Sequence, residues 1–184
     1  RMPPKFGSVK RVNVVRDPDS FRRNLNMYVI SEDENGYLTA TSQSIKQNIK
    51  TWLTNLKMMS DTIDILDTKI INIGLSFELI TDLDANKNDV LSVASQALRT
   101  RMVRLHMDIA EPFRLSDAYN VLKNVDGVLD VLNVRVVPKV GGAYSDAFYD
   151  LESNMTPDNR LLLVPENAIL EIKYPKIDIR GTVK

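Results

Sequence analysis

The sequence predicts an α+β fold: a mixed or antiparallel sheet with two to three helices on one face, split β-α-β-like, followed by a β-rich C-terminal extension. Three observations carry this. Residues 69–81 alternate strictly, with Ile71, Ile73, Leu75, Phe77 and Leu79 on one side and Asn72, Gly74, Ser76 and Glu78 on the other. Two other stretches switch to helical spacing, one through Ile45, Ile49, Trp52, Leu53 and Leu56, the other through Leu91, Ala94, Leu98, Met102 and Leu105. Finally, residues 111–138 spell a capped helix, a glycine stop and a long strand without interruption.

Taken in order, residues 9–16 form a short strand between Pro3-Pro4 and Asp17-Pro18, placed at a sheet edge. A strand over 25–30 stops at the polar turn that ends in Gly36. The first helix begins near Thr41 to Ser44, which compete as cap, and runs about four turns. After the strand at 69–81, whose polar face is expected to be mostly wet, a second helix spans 87–106. Ser116 is the N-cap candidate of the third helix, Asp117 suits its positive end, and Ala118, Leu122 and Val125 share its apolar face. Gly127 supplies a left-handed turn, and the strand from Val128 reaches Val137 before Pro138 ends it.

Beyond Pro138 the texture changes. Gly141 and Gly142 allow a hinge, residues 143–160 lack a period, and β-rich runs cover 161–164, 169–174 and 177–180, the last two separated by Pro175. The expected division is therefore an N-terminal edge strand and connection at 1–24, an α+β domain at 25–138, and a β-rich extension at 139–184.

Composition narrows the function. Lysine plus arginine equals aspartate plus glutamate at 24 each, which removes the global field that drives non-specific nucleic-acid binding. With no cysteine there is no disulfide or thiolate site, and no run approaches the ~20 apolar residues of a membrane helix. A cytosol-made soluble protein is the expectation, and Arg1 ahead of Met2 reads as an excised piece or a tag remnant.

Candidate chemistry is sparse. Residues 82–88 imitate a calcium loop, but Lys87 stands where glycine is needed and Val93 where a bidentate glutamate should close the shell, so Asn86 or Asn88 as helix cap is the better reading. His106 is the single histidine and reads as a helix-end residue. Arg99, Arg101 and Arg104 form a basic cluster suited to a solvated face or a partner salt bridge. Phe77 belongs to the core. No catalytic, cofactor or metal residue is assigned. A loop carrying Tyr144, Phe148 and Tyr149 beside Asp146 and Asp150 suits a partner contact or packing on its own domain. Leu161, Leu163, Ile169, Ile172 and Tyr174 of the extension are further contact candidates, because short strands need covering.

These residues carry a resemblance. Met27-Tyr28-Val29-Ile30, the turn at Gly36, the two helices, the long strand, then Glu111-Pro112-Phe113, Ser116-Asp117 and Val125-Asp126-Gly127-Val128 resemble, in that order, the baseplate J-like proteins of contractile phage tails. The continuation through Val140-Gly141-Gly142-Ala143-Tyr144 and Val164-Pro165-Glu166-Asn167 is similar to the C-terminal part of baseplate wedge proteins of T-even-type phages. The resemblance implies a structural subunit of the virion, not an enzyme. Assembled in the host cytoplasm, it would contact itself and other wedge and hub proteins, with no nucleic acid, membrane insertion or small-molecule substrate. The alternatives are a generic adaptor or nucleic-acid-binding α+β module, a subunit of a related injection system, and an unrecognised hydrolase.

Overall fold

The structure, a computed structural model, describes residues 7, 9–17, 20, 24–56, 62–104 and 107–184, the side chain of Arg104 excepted. In chain order the elements are β1 (Arg11–Arg16), β2 (Asn24–Glu32), β3 (Leu38–Thr39), α1 (Gln43–Thr54), β4 (Thr62–Asp67), β5 (Lys69–Thr81), α2 (Lys87–Arg104), β6 (Phe113–Arg114), α3 (Leu115–Lys123), β7 (Val128–Lys139), β8 (Leu161–Leu162), β9 (Ala168–Glu171), α4 (Pro175–Asp178) and β10 (Ile179–Val183). This is an α+β fold. His106 and Leu105 lie outside the described residues.

Two compact units divide the chain, and not at the expected positions 24 and 138. The first takes Arg1–Ile70, Asp108–Ala110 and Pro165–Ile169, and the second takes Ile71–Met107, Glu111–Val164 and Leu170–Lys184. The reason is β4, whose weak alternation does not stand out in the sequence: it pairs with β2 in parallel, so β2 and β5 belong to different sheets.

In the first unit β2 is central. It pairs antiparallel with β1 from Arg11↔Ile30 to Arg16↔Leu25, antiparallel with β3, and in parallel with β4. Asp33 closes the β2–β3 turn by accepting from the backbone N–H groups of Asn35 at 2.9 Å and Tyr37 at 2.8 Å, and Gly36 takes φ 82°. Ser42 caps α1, accepting from the N–H of Ile45 at 3.4 Å. Ile49 of α1 is buried, whereas Leu56, expected on the same stripe, lies past the helix end and is exposed. The apolar cluster of this unit is Ile30, Ile109 and Ile169, with Tyr28, Leu38 and Ile70 packed against it. Ile169, expected as a partner contact, is therefore fully buried. Backbone bonds from Lys69 to Asn167 and from Ala110 to Ala168 fix its segment there.

In the second unit β5 is central, antiparallel to β7 and parallel to β10, with β9 also paired to it. Ile71, Ile73, Leu75, Phe77 and Leu79 are all buried, as the alternation predicts. The opposite face departs from expectation, since Asn72 and Gly74 are buried too. Asn72 donates to Glu171 and accepts from the N–H of Ser145, both at 2.7 Å, and a Cβ on Gly74 would lie 2.8 Å from the carbonyl oxygen of Asp178. Only beyond Gly74 does that face open, at Ser76.

On the core face α2 lies against β10, α3 lies against β7, and the helices touch each other. Val90, Ala94, Leu98 and Met102 form the buried row of α2. Ala118, Leu122 and Val125 are buried, and Gly127 takes φ 83° as the chain turns into β7. Pro138 does not end that strand. It sits inside β7 opposite Ile73, and among the described residues no strand pairs with β7 on its other side. Apart from Pro165–Ile169, which belong to the first unit, the residues expected to form a separate extension are built into this one: β10 flanks the central strand, Ile179 is fully buried, and β8 pairs with β6. Pro175 opens the short helix α4, and Ile177, expected in a strand, is an exposed residue of it.

Candidate functional site

A groove of about 860 Å³ runs along the outer edge of β7 in the second unit. One wall is the outer face of α3, where Ser116, Asn120 and Lys123 recur at helical spacing. Ser116, expected as the N-cap, is exposed in the first turn of that wall. The helix begins at Leu115 without a side-chain cap, because the carbonyl of Arg160 accepts from the N–H of Leu115 at 2.9 Å. A backbone group from 45 residues along the chain has taken the place of a local hydroxyl, and no local signal marks it.

The opposite wall is the loop 150–160, which is held internally. Asp150 accepts from the N–H groups of Glu152 at 3.1 Å and Ser153 at 3.3 Å and from the Ser153 hydroxyl, and these bonds hold its carboxyl below the usual carboxylate range. Thr156 donates to Asp158 at 2.6 Å, which similarly lowers the pKa of that carboxyl, and its N–H reaches the carbonyl of Leu161 at 2.9 Å. Asn159 adopts φ 52°, a left-handed turn that asparagine tolerates.

The floor is β7 itself. Tyr119, on α3, accepts from the backbone N–H of Val134 at 3.0 Å, a bond that points away from β5. Lys123 lies 3.5 Å from Asp130 and Arg160 lies 3.8 Å from Asp158, all exposed, and such pairs contribute little. Arg135 has no ion pair among the described residues.

The predicted contact residues do not converge on this groove. Tyr144 and Tyr174 pack edge to face, centroids 5.6 Å apart at 73°. Between them sits the fully buried carboxylate of Asp178, which accepts from the Tyr144 hydroxyl at 2.6 Å and the Tyr174 N–H at 2.8 Å, with Lys139 Nζ at 3.7 Å. That hydrogen bond and burial push the Tyr144 phenol up to about 12, so it holds its proton and serves as a donor. Tyr149 donates to the carbonyl of Leu163 at 3.0 Å, and burial raises its pKa. Leu161 is half-buried opposite Arg114, and Ile172 is half-buried. Phe148 and Leu163 alone stand out, 77% and 49% exposed. Gly141 and Gly142, at φ 77° and 64°, form a turn closed by the bond from the Tyr144 N–H to the Gly141 carbonyl.

The remaining candidates resolve locally. Asn86 accepts from the N–H of Asn88 at 3.1 Å, so the calcium-like stretch is a helix entry. Among the described residues no three His, Asp or Glu side chains gather as a metal site. Arg99 is not a solvated-face residue: its guanidinium donates to the carbonyls of Lys176 at 3.2 Å and Ile179 at 3.3 Å, tying down the start of β10. No helix among the described residues is long and apolar enough to cross a membrane. No protein-family model matches the chain, and no curated protein matches it significantly.

Proposed function

We propose that the protein is a non-enzymatic structural subunit of a contractile phage tail baseplate, joining wedges into a ring around the hub and taking part in the rearrangement that triggers sheath contraction. The motif order from Met27-Tyr28-Val29-Ile30 to Val125-Asp126-Gly127-Val128 carries this reading. The surface is consistent with assembly: a wide groove borders an unpaired strand edge, and Leu129, Leu132, Phe148 and Leu163 leave large apolar side chains exposed. The groove walls also suit docking better than turnover. Its lining mixes apolar residues such as Leu115, Leu151 and Met155 with polar side chains that are partly engaged with one another, and the tyrosine whose pKa is furthest raised lies outside it.

Purified wedge and hub proteins of a contractile tail, mixed with this chain and followed by sedimentation, provide the test. A defined co-sedimenting complex that survives moderate salt is expected. A chain that stays monomeric and unbound at micromolar concentration, yet binds single-stranded DNA with a steep salt dependence, would overturn the reading in favour of a nucleic-acid module.

A further inference from the structure

We infer that the groove beside β7 accepts one short extended segment of a partner protein, which pairs antiparallel with Val136 and carries an acidic side chain beside Arg135. This does not depend on the baseplate reading. It starts from the direction of the backbone groups.

The register of β7 on β5 is regular from Asn133↔Glu78 to Lys139↔Asn72, so peptide groups alternate toward and away from β5. Because the Val134 N–H donates to Tyr119 on α3, positions 134, 136 and 138 all face outward. Along this outward row Val134 has spent its N–H, and Pro138 has none to offer. Val136 keeps both its N–H and its carbonyl, and among the described residues neither has a partner. An edge blocked on both sides of one open residue resists running sheet-to-sheet extension. It still admits a single antiparallel rung, in which one incoming residue exchanges both bonds with Val136.

Pleat geometry then sets the side chains. The residue following the one that faces Val136 comes opposite Arg135, in the close, non-hydrogen-bonded pairing. Arg135 is exposed and has no carboxylate among the described residues, whereas Lys123 has Asp130 nearby and Asp158 is occupied by Thr156 and Arg160. Glu152 is the other carboxylate lining the groove, against the three cations. Charge complementarity therefore asks for an aspartate or glutamate at that following position.

The probe is the peptide acetyl-Thr-Val-Val-Asp-Thr-amide, titrated into the isotope-labelled intact chain and followed by amide chemical shifts. The central valine is the residue that faces Val136. Saturable shifts at Val136, Arg135 and the Tyr119 region are expected, with a Kd on the order of 1 mM for so short a segment. N-methylation of the central valine should abolish them. Exchanging the aspartate for lysine should weaken binding about tenfold, and Arg135→Glu, an exposed change that leaves the fold alone, should reverse that preference. Val136→Pro should abolish binding even though Pro138 shows that the strand admits proline. Equal binding of the N-methylated or lysine peptide overturns the inference, as does the absence of shifts up to about 5 mM peptide.

Discussion

Replacing Gly181 by alanine should damage this protein more than its modesty suggests. Gly181 lies in β10 opposite Phe77 of the central strand, and its φ is not in the left-handed region, so the backbone itself would accept alanine. The added methyl has nowhere to go. It would stand 2.2 Å from Cζ and 2.3 Å from Cε2 of Phe77, and 2.8 Å from Cδ1 of Leu91. Ordinary carbon contacts are about 3.5–4.0 Å, so the ring must retreat by roughly 1.5 Å or the strand must lift. Phe77 is 1% exposed between buried Leu75 and Leu79, which leaves no open side. Overpacking of a filled core costs about 1–3 kcal/mol, and the severity here points to about 3 kcal/mol, or a Tm lower by roughly 6–12 °C for a chain of this length. Urea denaturation of Gly181→Ala, Phe77→Leu and the double variant measures it. Trimming the ring costs stability alone but relieves the clash, so the two changes should fall short of additivity by about 1–2 kcal/mol. Gly36→Ala gives the contrast: its space is open and only its φ of 82° is strained, for about 1 kcal/mol. A Gly181→Ala variant within about 0.5 kcal/mol of the parent, or strict additivity with Phe77→Leu, would refute the packing argument.

Gly127→Val should cost about 2 kcal/mol, because φ is 83° and a Cβ would meet Val90 Cγ2 at 2.9 Å; an unchanged urea midpoint would show that the turn can rearrange. Ser116→Ala should change stability by less than about 0.5 kcal/mol, since the Arg160 carbonyl already serves the helix start, and a loss of about 1 kcal/mol would restore the serine as a cap. Tyr144→Phe should cost about 1.5–3 kcal/mol by removing a donor from the buried Asp178 carboxylate. The folded state holds the Tyr144 proton to about 12 against 10.0 for the free side chain, so this contribution is complete below pH 10 and fades as pH rises through about 12. A gap between parent and Tyr144→Phe that stays constant across that window would contradict the bond. Truncation after Pro138 removes β10 and bares one side of β5, so the 1–138 fragment should lose cooperative unfolding, and a sharp calorimetric transition would argue for a separable extension.

Local pattern was legible wherever one residue's neighbours in sequence were also its neighbours in space. The strand Lys69–Thr81, the buried row of α2, the face of Ala118, Leu122 and Val125, and the left-handed Gly127 all follow from spacing and turn chemistry. Partition failed for a specific reason. In β4, T-I-D-I-L-D, Ile63 and Ile65 are only half-buried between exposed Thr62 and Asp64, too weak an alternation to stand out. Without β4, the next strand after β2 that the sequence marks is β5, which belongs to the other sheet. The same blindness made residues 139–184 look detachable: nothing local to the 179–183 stretch says that it lies parallel to residues 75–79, a pairing that closes about a hundred residues of intervening chain.

The candidate site was the least legible part, because its features are absences and directions more than residue types. An open N–H on Val136 leaves no trace in composition, and nothing in the spacing of Tyr119 marks it as the acceptor of a strand N–H 15 residues further on. One sequence signal was available. Pro138 reads as the end of a strand, yet the strand continues through it to Lys139, which is tolerable where the missing N–H would have pointed away from the neighbouring strand. A proline inside an otherwise β-branched run therefore marks an edge and a parity. From Pro138 alone one could have placed the peptide groups of 134 and 136 on the outward side, and so located the rung that Tyr119 leaves open.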